Sequence, residues 1–255
     1  MLKHRVIPCL LLRNEGLVKT RKFADPKYVG DPINALRIFN DKEVDELMVL
    51  DITASKERKE PNYSLIEQFA GECFMPLSYG GGIRTMEQAQ RLFNSGIEKI
   101  CIQTSALEDM SLVRKLAEKW GSSSILVSVD VKRNWMGQPK LHASATGKSL
   151  DKKWTDFLRE AVTSGAGEIV LNAVDRDGTM KGMDLELIRE ASGILSVPLI
   201  AIGGAGSLSD IKAAVDAGAS AVSAGAFFVF HGPHRAVLIT YPAYKDLLGL
   251  FNQPV

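Results

Sequence analysis

Short apolar runs recur along the chain, and each is followed by a longer stretch in which apolar residues return every three or four positions. The runs are rich in β-branched residues and predict strands, whereas the spacing between them predicts amphipathic helices. The predicted strands cover residues 5–11, 46–52, 75–79, 97–103, 124–130, 168–173, 197–202 and 220–225. The predicted helices cover residues 31–39, 63–71, 85–95, 111–120, 154–164, 184–193 and 207–217, with Asp109, Asp184 and Ser207 as candidate N-caps.

Apolar strands that alternate with helices indicate a parallel sheet covered by helices on its faces. Eight such units in 255 residues predict an α/β fold of the (β/α)8 TIM-barrel type. Residues 76–82 (PLSYGGG) resemble residues 198–204 (PLIAIGG), 122 positions later, and the same offset relates Glu46 to Glu168. We therefore predict one barrel domain over residues 1–255, built from two half-barrel repeats.

Composition limits the kinds of molecule that the protein is expected to bind and the compartment in which it works. The net charge of +1 gives no overall field that would attract nucleic acid or an anionic membrane. The apolar run near the amino terminus ends at Arg13 without a cleavage site, so it predicts a strand rather than a signal peptide. Cys9, Cys73 and Cys101 form no CxxC pair, which favours reduced thiols in the cytoplasm. No group of residues has the spacing of a zinc site, and we expect no metal and no cofactor.

Two glycine-rich turns follow predicted strands and precede helices. They lie at residues 80–82 and 203–206. Glycine lets backbone N–H groups approach an anion closely, although a single such turn is equally well a tight structural connection. Because the two turns are related by the repeat and lie on the same rim, we predict two phosphate sites, which the turns after strands four and eight would complete. The predicted binding residues are Gly81, Gly82, Gln103, Thr104, Gly203, Gly204, Gly225 and Ala226.

Carboxylates stand at the ends of predicted strands. Asp51 ends the second strand, Asp130 ends the fifth, and Asp175 and Asp177 follow the sixth. In a barrel these positions face the mouth, where general acid–base catalysis takes place. For Asp51 and Asp175 a cap or a loop ion pair remains an equal alternative. Asp130 closes an otherwise apolar strand, where a charge is costly unless it is used, and this favours a functional role.

Six motifs together resemble the cyclase subunit of imidazole glycerol phosphate synthase, over nearly the whole chain. They lie at residues 5–10 (RVIPCL), 30–32 (Gly-Asp-Pro), 50–54 (LDITA), 80–83 (GGGI), 175–179 (DRDGT) and 203–206 (GGAG). The resemblance implies a heterodimer with a class I glutaminase. Ammonia would enter at the N-terminal face of the barrel, pass a gate of charged residues and the barrel core, and meet a ligand with two phosphates at the opposite face.

The resemblance also assigns roles to individual residues. The gate would consist of Arg5, Glu46, Lys99 and Glu168, which match the family in type, although a structural salt-bridge network is the alternative. Asp177 matches, and so does Lys19 on an expected long mobile loop after the first strand. The family uses two aspartates as acid and base. Asp130 fills one place, but Leu11 stands at the other.

Further departures lie near this missing acid. Gln103 stands where the family has asparagine, Asn172 where it has threonine, and Ile202 where it has serine. A retained gate beside a lost aspartate resembles a paralogous branch that supplies ammonia for acetamidino groups on cell-surface sugars, and residues 227–239 resemble that branch too.

Three hypotheses follow. The first is this ammonia-conducting, lyase-type barrel with a phosphorylated ligand, in which Asp130 and Asp177 are the catalytic candidates and Lys19 and Asn172 contact the ligand. The second is a working cyclase of histidine biosynthesis, with Asp130 alone or with Asp177 or Asp51 as the second acid. The third is a non-catalytic scaffold that activates a glutaminase.

Overall fold

Eight parallel strands close into a barrel in the computed structural model, which describes residues 4–232 and 234–251. The strands are β1 (Arg5–Arg13), β2 (Leu47–Asp51), β3 (Leu77–Gly80), β4 (Lys99–Ile102), β5 (Ile125–Arg133), β6 (Glu168–Ala173), β7 (Leu199–Ile202) and β8 (Ala221–Ala224). Each strand is parallel to both neighbours, and β8 pairs with β1 to complete the circle. The predicted (β/α)8 barrel is confirmed. We call the N-terminal ends of these strands the lower face and their C-terminal ends the upper rim.

Helices surround the barrel because their apolar faces pack on the outside of the strands. They are α1 (Pro32–Asp41), α2 (Tyr63–Glu72), α3 (Met86–Asn94), α4 (Ser111–Trp120), α5 (Trp154–Thr163), α6 (Leu185–Ser192), α7 (Leu208–Asp216) and α8 (Tyr244–Phe251), with short helices at Thr104–Glu108 and Ala226–Val229. Asp184 and Ser207 cap α6 and α7 as predicted, each accepting a backbone N–H at 3.2 Å. Asp109 does not cap α4, whose N-cap is Met110; it accepts from the Ser111 N–H instead.

Two antiparallel hairpins rise from the upper rim and were not predicted. The expected long loop after β1 forms strands at Gly16–Arg21 and Ala24–Gly30, so Lys19 lies on a strand rather than in a loop. A second hairpin pairs Pro139–Ala143 with the extended end of β5. Side chains of the first hairpin line the mouth of the barrel, and so does Ser144, which follows the second hairpin directly.

An apolar layer fills the inside of the barrel between its two ends. Its members include Ile7, Met48, Leu126, Val170 and Ile200, all of which are fully buried. This layer separates the lower face from the upper rim.

The two ends of the described chain meet at the lower face. The Tyr241 hydroxyl donates a hydrogen bond to the Val6 carbonyl at 2.8 Å, which ties the segment after β8 to the start of β1. The rings of His4 and Phe251 lie 5.5 Å apart between centroids.

Candidate functional site

Four charged side chains form a closed ring at the lower face. Arg5 bonds both acids, with contacts of 2.6 Å to Glu46 Oε2 and 2.6 Å to Glu168 Oε2. Lys99 bonds the same two acids, at 3.0 Å to Glu46 and 2.8 Å to Glu168. The four residues come together because each lies at or just before the first residue of a barrel strand. We call this set the charge ring.

The charge ring neutralises itself. Glu46 is only 2% exposed, and a buried carboxylate is tolerated where it is paired and hydrogen-bonded. Burial raises the pKa of Glu168, but hydrogen bonds from Arg5 and Lys99 outweigh that effect and leave the pKa below its ordinary value. The structure therefore unites all four predicted gate residues in one balanced ring, and their role in passing ammonia stays a prediction.

A cavity of about 520 Å³ opens at the upper rim, on the other side of the apolar layer. Predicted site residues on its wall are Lys19, Gly81, Gln103, Thr104, Asp130, Asn172, Asp177, Gly203, Gly204, Gly225 and Ala226. Gly82 is the exception among the predicted residues. It does not line the cavity, and its N–H group donates to Ser55 Oγ at 3.2 Å. Because that N–H group already has a partner, the role of Gly82 in a phosphate site is unsupported by its contacts and stays a prediction.

Asp130 lies in the wall of this cavity and is 4% exposed. Burial raises the pKa of its carboxyl group to about 6, and hydrogen bonding with Gln103, Ser144 and Ser128 limits the rise. Ser128 Oγ donates to Asp130 Oδ1 at 3.1 Å. A carboxyl group whose pKa lies near neutral pH can both take up and release a proton, which is what general acid–base catalysis requires.

Asp177 holds the first hairpin over the cavity. Its carboxylate accepts from Thr20 Oγ1 at 2.8 Å and from the Phe23 N–H at 3.2 Å. Burial raises the pKa of Asp177, although these hydrogen bonds and the charge of Lys19 oppose the rise. Asp177 is thus both an anchor of the hairpin and an acid in the cavity wall.

Lys19 points from the hairpin into the cavity. Its Nζ donates to the Cys9 carbonyl at 2.6 Å, and the side chain is nearly buried. Burial lowers the pKa of this amine. A Cβ added to Gly225 would lie 2.6 Å from Lys19 Nζ, so glycine at that position leaves room for the amine beside the second predicted phosphate site.

The two glycine turns differ although they are related by the repeat. Gly203 and Gly204 have φ angles of +102° and +107°, and a Cβ on Gly204 would lie 2.2 Å from the Gly182 carbonyl oxygen. No hydrogen bond among the described residues uses the N–H groups of Gly203 and Gly204, and both residues face the cavity. Free N–H groups on a concave turn are suited to binding an anion. The turn after β7 is therefore the better built of the two candidate cradles.

Gln103 joins the second hairpin to the cavity wall. Its Nε2 donates to the His142 carbonyl at 3.2 Å, and its Oε1 accepts from the Ser144 N–H at 3.3 Å and from the Ser144 hydroxyl. The side chain orders the hairpin beside Asp130, in addition to its predicted contact with a ligand.

Part of the cavity wall near β1 is apolar. Leu11 lines it together with Leu50, and both pack against the apolar layer. Ile202 also lines the cavity and is 8% exposed. These side chains cannot exchange protons, whereas Asp130 and Asp177 are carboxyl groups of the cavity wall whose pKa is raised.

Two further acids have structural roles. Asp51 Oδ1 accepts from Thr53 N, Thr53 Oγ1 and Ala54 N between 2.8 and 3.0 Å, which orders the turn after β2. Asp175 Oδ2 accepts from the Arg133 N–H at 2.7 Å. Asp51 therefore has the capping role that was the alternative to a functional one. Asp51 also lines the cavity.

Sequence reasoning missed Ser128 and Ser144, which share hydrogen bonding with Asp130. Ser128 stands two positions before Asp130 on the same strand, and side chains two apart on a strand point to the same side. That spacing was a usable signal for Ser128. Ser144 directly follows the second hairpin, which was not predicted, and no pattern in the sequence pointed to Ser144.

Within the described residues, every helix is too short or too polar to cross a lipid bilayer.

Comparison with known proteins agrees with this geometry. Residues 5–233 match the family described as histidine biosynthesis protein. The chain is 52% identical to a Pseudomonas aeruginosa protein provisionally named imidazole glycerol phosphate synthase subunit hisF2, over 97% of this chain and 99% of that protein. It is 47% identical to a protein of Leptospira interrogans with a provisional name of the HisF subunit, over 98% and 100%.

Relatives with lower identity are named as HisF subunits without the provisional wording. The imidazole glycerol phosphate synthase subunit HisF of Thermobifida fusca is 39% identical, over 89% of this chain and 90% of its own length. Near-complete coverage at these identities, with a matching family model, shows the family. The chain belongs to the histidine biosynthesis protein family and, within it, to the HisF-type subunits of imidazole glycerol phosphate synthase.

Proposed function

We propose that the protein is the ammonia-receiving, cyclase-like subunit of a glutamine amidotransferase complex that makes acetamidino groups on a surface-polysaccharide sugar. One observation carries the proposal. The charge ring is complete at the lower face, whereas Leu11 stands at the upper rim where the resembled cyclases have their second catalytic aspartate. The residues proposed to admit ammonia are thus all present, whereas one of the two acids used for cyclisation in the resembled family is absent.

The charge ring suits a gate for ammonia. Its two cations and two anions balance, so a neutral molecule meets no net charge. Beyond the ring lies the apolar layer, which an ammonium ion could cross only by losing its hydration at high cost. The barrel would therefore take ammonia directly from a glutaminase subunit docked at the lower face, in a heterodimer.

The upper cavity suits a phosphorylated ligand. Free N–H groups on Gly203 and Gly204, with Lys19 close by, form one cradle, and Gly81 with Thr104 lines the opposite side. Asp130 lies on the cavity wall as the retained proton-transfer group. The three cysteines are free and two are buried, which supports our proposal that the complex works in the cytoplasm.

Deletion of the gene in its host tests the proposal. We expect the surface polysaccharide to lose its acetamidino groups, as measured by mass spectrometry of released sugars, and histidine prototrophy to persist. Wild-type protein should restore the groups, whereas Lys99→Met should restore them only when ammonium salt is supplied. Lys212→Met is a matched control, because that lysine pairs with Asp216 on the outside of α7. An unchanged polysaccharide in the deletion strain would contradict the proposal.

A cyclase of histidine biosynthesis is the second candidate, and one observation favours it. Asp177 lines the same cavity as Asp130, and its raised pKa also suits proton transfer. Asp177 would then replace the acid lost at Leu11. Rescue of a histidine auxotroph that lacks its cyclase, abolished by Asp177→Asn, would establish this function in place of the first.

A further inference from the structure

A second cavity, of about 400 Å³, lies on the outer side of the barrel wall. It opens beside the turn at residues 14–15, which leads from β1 into the first hairpin, and beside the start of α2. Leu12, Ile66 and Tyr79 line it and belong to the apolar contacts between strands and helices, whereas the layer inside the barrel is made of other residues. We call this cavity the outer pocket. It is a separate space from the upper cavity, where the phosphorylated ligand is proposed to bind.

Tyr79 places an unused hydroxyl group in the wall of the outer pocket. The residue is 1% exposed, and no hydrogen bond among the described residues includes its hydroxyl. The hydroxyl of Tyr63 is closed off from solvent, but that of Tyr79 is not, so the small accessible part of Tyr79 includes this group. Buried tyrosine hydroxyls usually have a hydrogen-bond partner. A ligand in the outer pocket would supply the missing one.

Carboxylates dominate the charge of the outer pocket. Glu15, Asp51 and Glu60 line it, and no ion pair among the described residues includes any of the three. Lys59 lines it too, but its amine is paired with Glu57 at 2.5 Å, so that charge is already balanced. Three carboxylates without a cation of their own favour a positively charged ligand and disfavour an anion.

Asp51 and Tyr79 offer acceptors to the same ligand group. Asp51 Oδ1 accepts the hydrogen bonds that order the turn after β2, and no contact among the described residues uses its Oδ2. Burial raises the pKa of the Tyr79 phenol, and the charge of Asp51 raises it further, so the phenol is neutral. A neutral phenol oxygen can still accept a hydrogen bond. One ammonium group has enough N–H donors for both oxygens.

Apolar side chains provide the rest of the lining. Leu12 is 3% exposed and Ile66 is 1% exposed, and Leu65 lies beside them. Together with the ring of Tyr79 they offer a surface for the hydrocarbon part of a ligand. The volume lies within the range of cavities that hold small organic molecules. The complementary molecule therefore has a charged amine at one end and an apolar body at the other.

We propose that the outer pocket binds a small organic cation, with its ammonium group on Asp51 and Tyr79 and its hydrocarbon part against Leu12 and Ile66. This is a second ligand site, beyond the one in the upper cavity. Asp51 and Thr53 line both spaces, so a bound cation contacts the turn that lies between them. Binding in the outer pocket would therefore act on the wall of the upper cavity.

NMR titration of the full chain tests the proposal. The probes are phenethylammonium, phenethyl alcohol and hydrocinnamate, which share a phenylethyl body and differ in charge. We expect saturable binding of the cation, with shifts in the N–H signals of Thr53 and Leu65. The alcohol and the anion should bind at least about tenfold more weakly, because they lack charge-assisted hydrogen bonds. Tyr79→Phe keeps the ring, removes the acceptor, and should weaken binding of the cation about tenfold.

Tyr63→Phe is the matched control. Its hydroxyl is closed off from solvent and the residue does not line the outer pocket, so the affinity for phenethylammonium should not change. Equal affinity for the three probes, wild-type affinity in Tyr79→Phe, or shifts at the glycine turn after β7 in place of Thr53, would overturn the proposal. If Tyr79→Phe does not fold, Asp51→Asn provides the second variant. It should weaken the cation about tenfold and leave the alcohol unchanged, and equal affinity for the cation would count against the site.

Discussion

Polar groups at the two ends of the barrel differ in whether they have bonding partners. In the charge ring at the lower face, every charged group has two partners of opposite charge. In the upper cavity, no ion pair among the described residues includes Asp130, and no hydrogen bond among them includes the amide of Asn172. Buried polar groups that satisfy one another stabilise a fold, whereas unsatisfied ones weaken it and are kept where a ligand completes them. The contrast is consistent with the gate that we propose below and the binding site that we propose above.

Breaking the charge ring should give the largest loss of stability. Glu46→Leu leaves Arg5 and Lys99 sharing Glu168 alone, and removal of one partner from a buried ion-pair network costs about 3–5 kcal/mol. We expect a loss of this size in the free energy of unfolding, measured by urea denaturation. Arg37→Met serves as control, because its pair with Glu72 is largely exposed and screened by solvent, so its loss should change stability far less. Similar losses in both variants would show that the ring is not a buried network.

Adding a methyl group to the glycine cradle should give the next largest effect. Gly204→Ala places a Cβ 2.2 Å from a backbone oxygen at a φ of +107°, which should cost about 2–3 kcal/mol and weaken binding of inorganic phosphate. Gly137→Ala is the matched control, since its φ is +78° but nothing lies within 4 Å of its Cβ position. It should cost about 1 kcal/mol from backbone strain alone. Equal effects on stability and on phosphate binding would speak against a crowded cradle at Gly204.

Removing the charge of Asp130 should give an effect of opposite sign and of at most similar size. The folded-state pKa, about 6, exceeds the ordinary value of about 3.9, so the native state binds more protons than the unfolded state between these values. Stability therefore falls as pH rises from about 4 to 6. Asp130→Asn should stabilise the protein by up to about 3 kcal/mol at pH 7, with the difference from wild type disappearing near pH 4. Urea denaturation at both pH values measures it, and a destabilised variant at pH 7 would contradict the buried, unpaired carboxylate.

The barrel could be predicted from sequence because its strands are buried on both sides and appear as continuous apolar runs. The charge ring could be assigned only through the family resemblance, since no local pattern links Arg5, Glu46, Lys99 and Glu168. The first hairpin was missed because Ala24–Gly30 is mostly exposed and shows no alternation. Its order comes from distant contacts such as that of Thr20 with Asp177.

The internal repeat relates two pairs of glycines, and only one pair has the same surroundings in the structure. It correctly related Gly81 to Gly203, and both line the cavity. It also equated Gly82 with Gly204, yet Ser55 takes the Gly82 N–H, a contact that depends on a turn elsewhere in the chain. Partnerless groups such as Asn172 Oδ1 cannot be seen in a sequence at all, because only the surroundings of a side chain decide whether it is satisfied.

The meeting of the chain ends at the lower face has a practical consequence for engineering. His4 and Phe251 are in ring contact beside the strand that carries Arg5. A protein domain inserted beside either residue would therefore lie at the surface where we propose that the glutaminase docks. A circular permutant, joined across these ends and reopened at Gly137 on the tip of the second hairpin, would move both termini to the opposite side and leave the charge ring accessible.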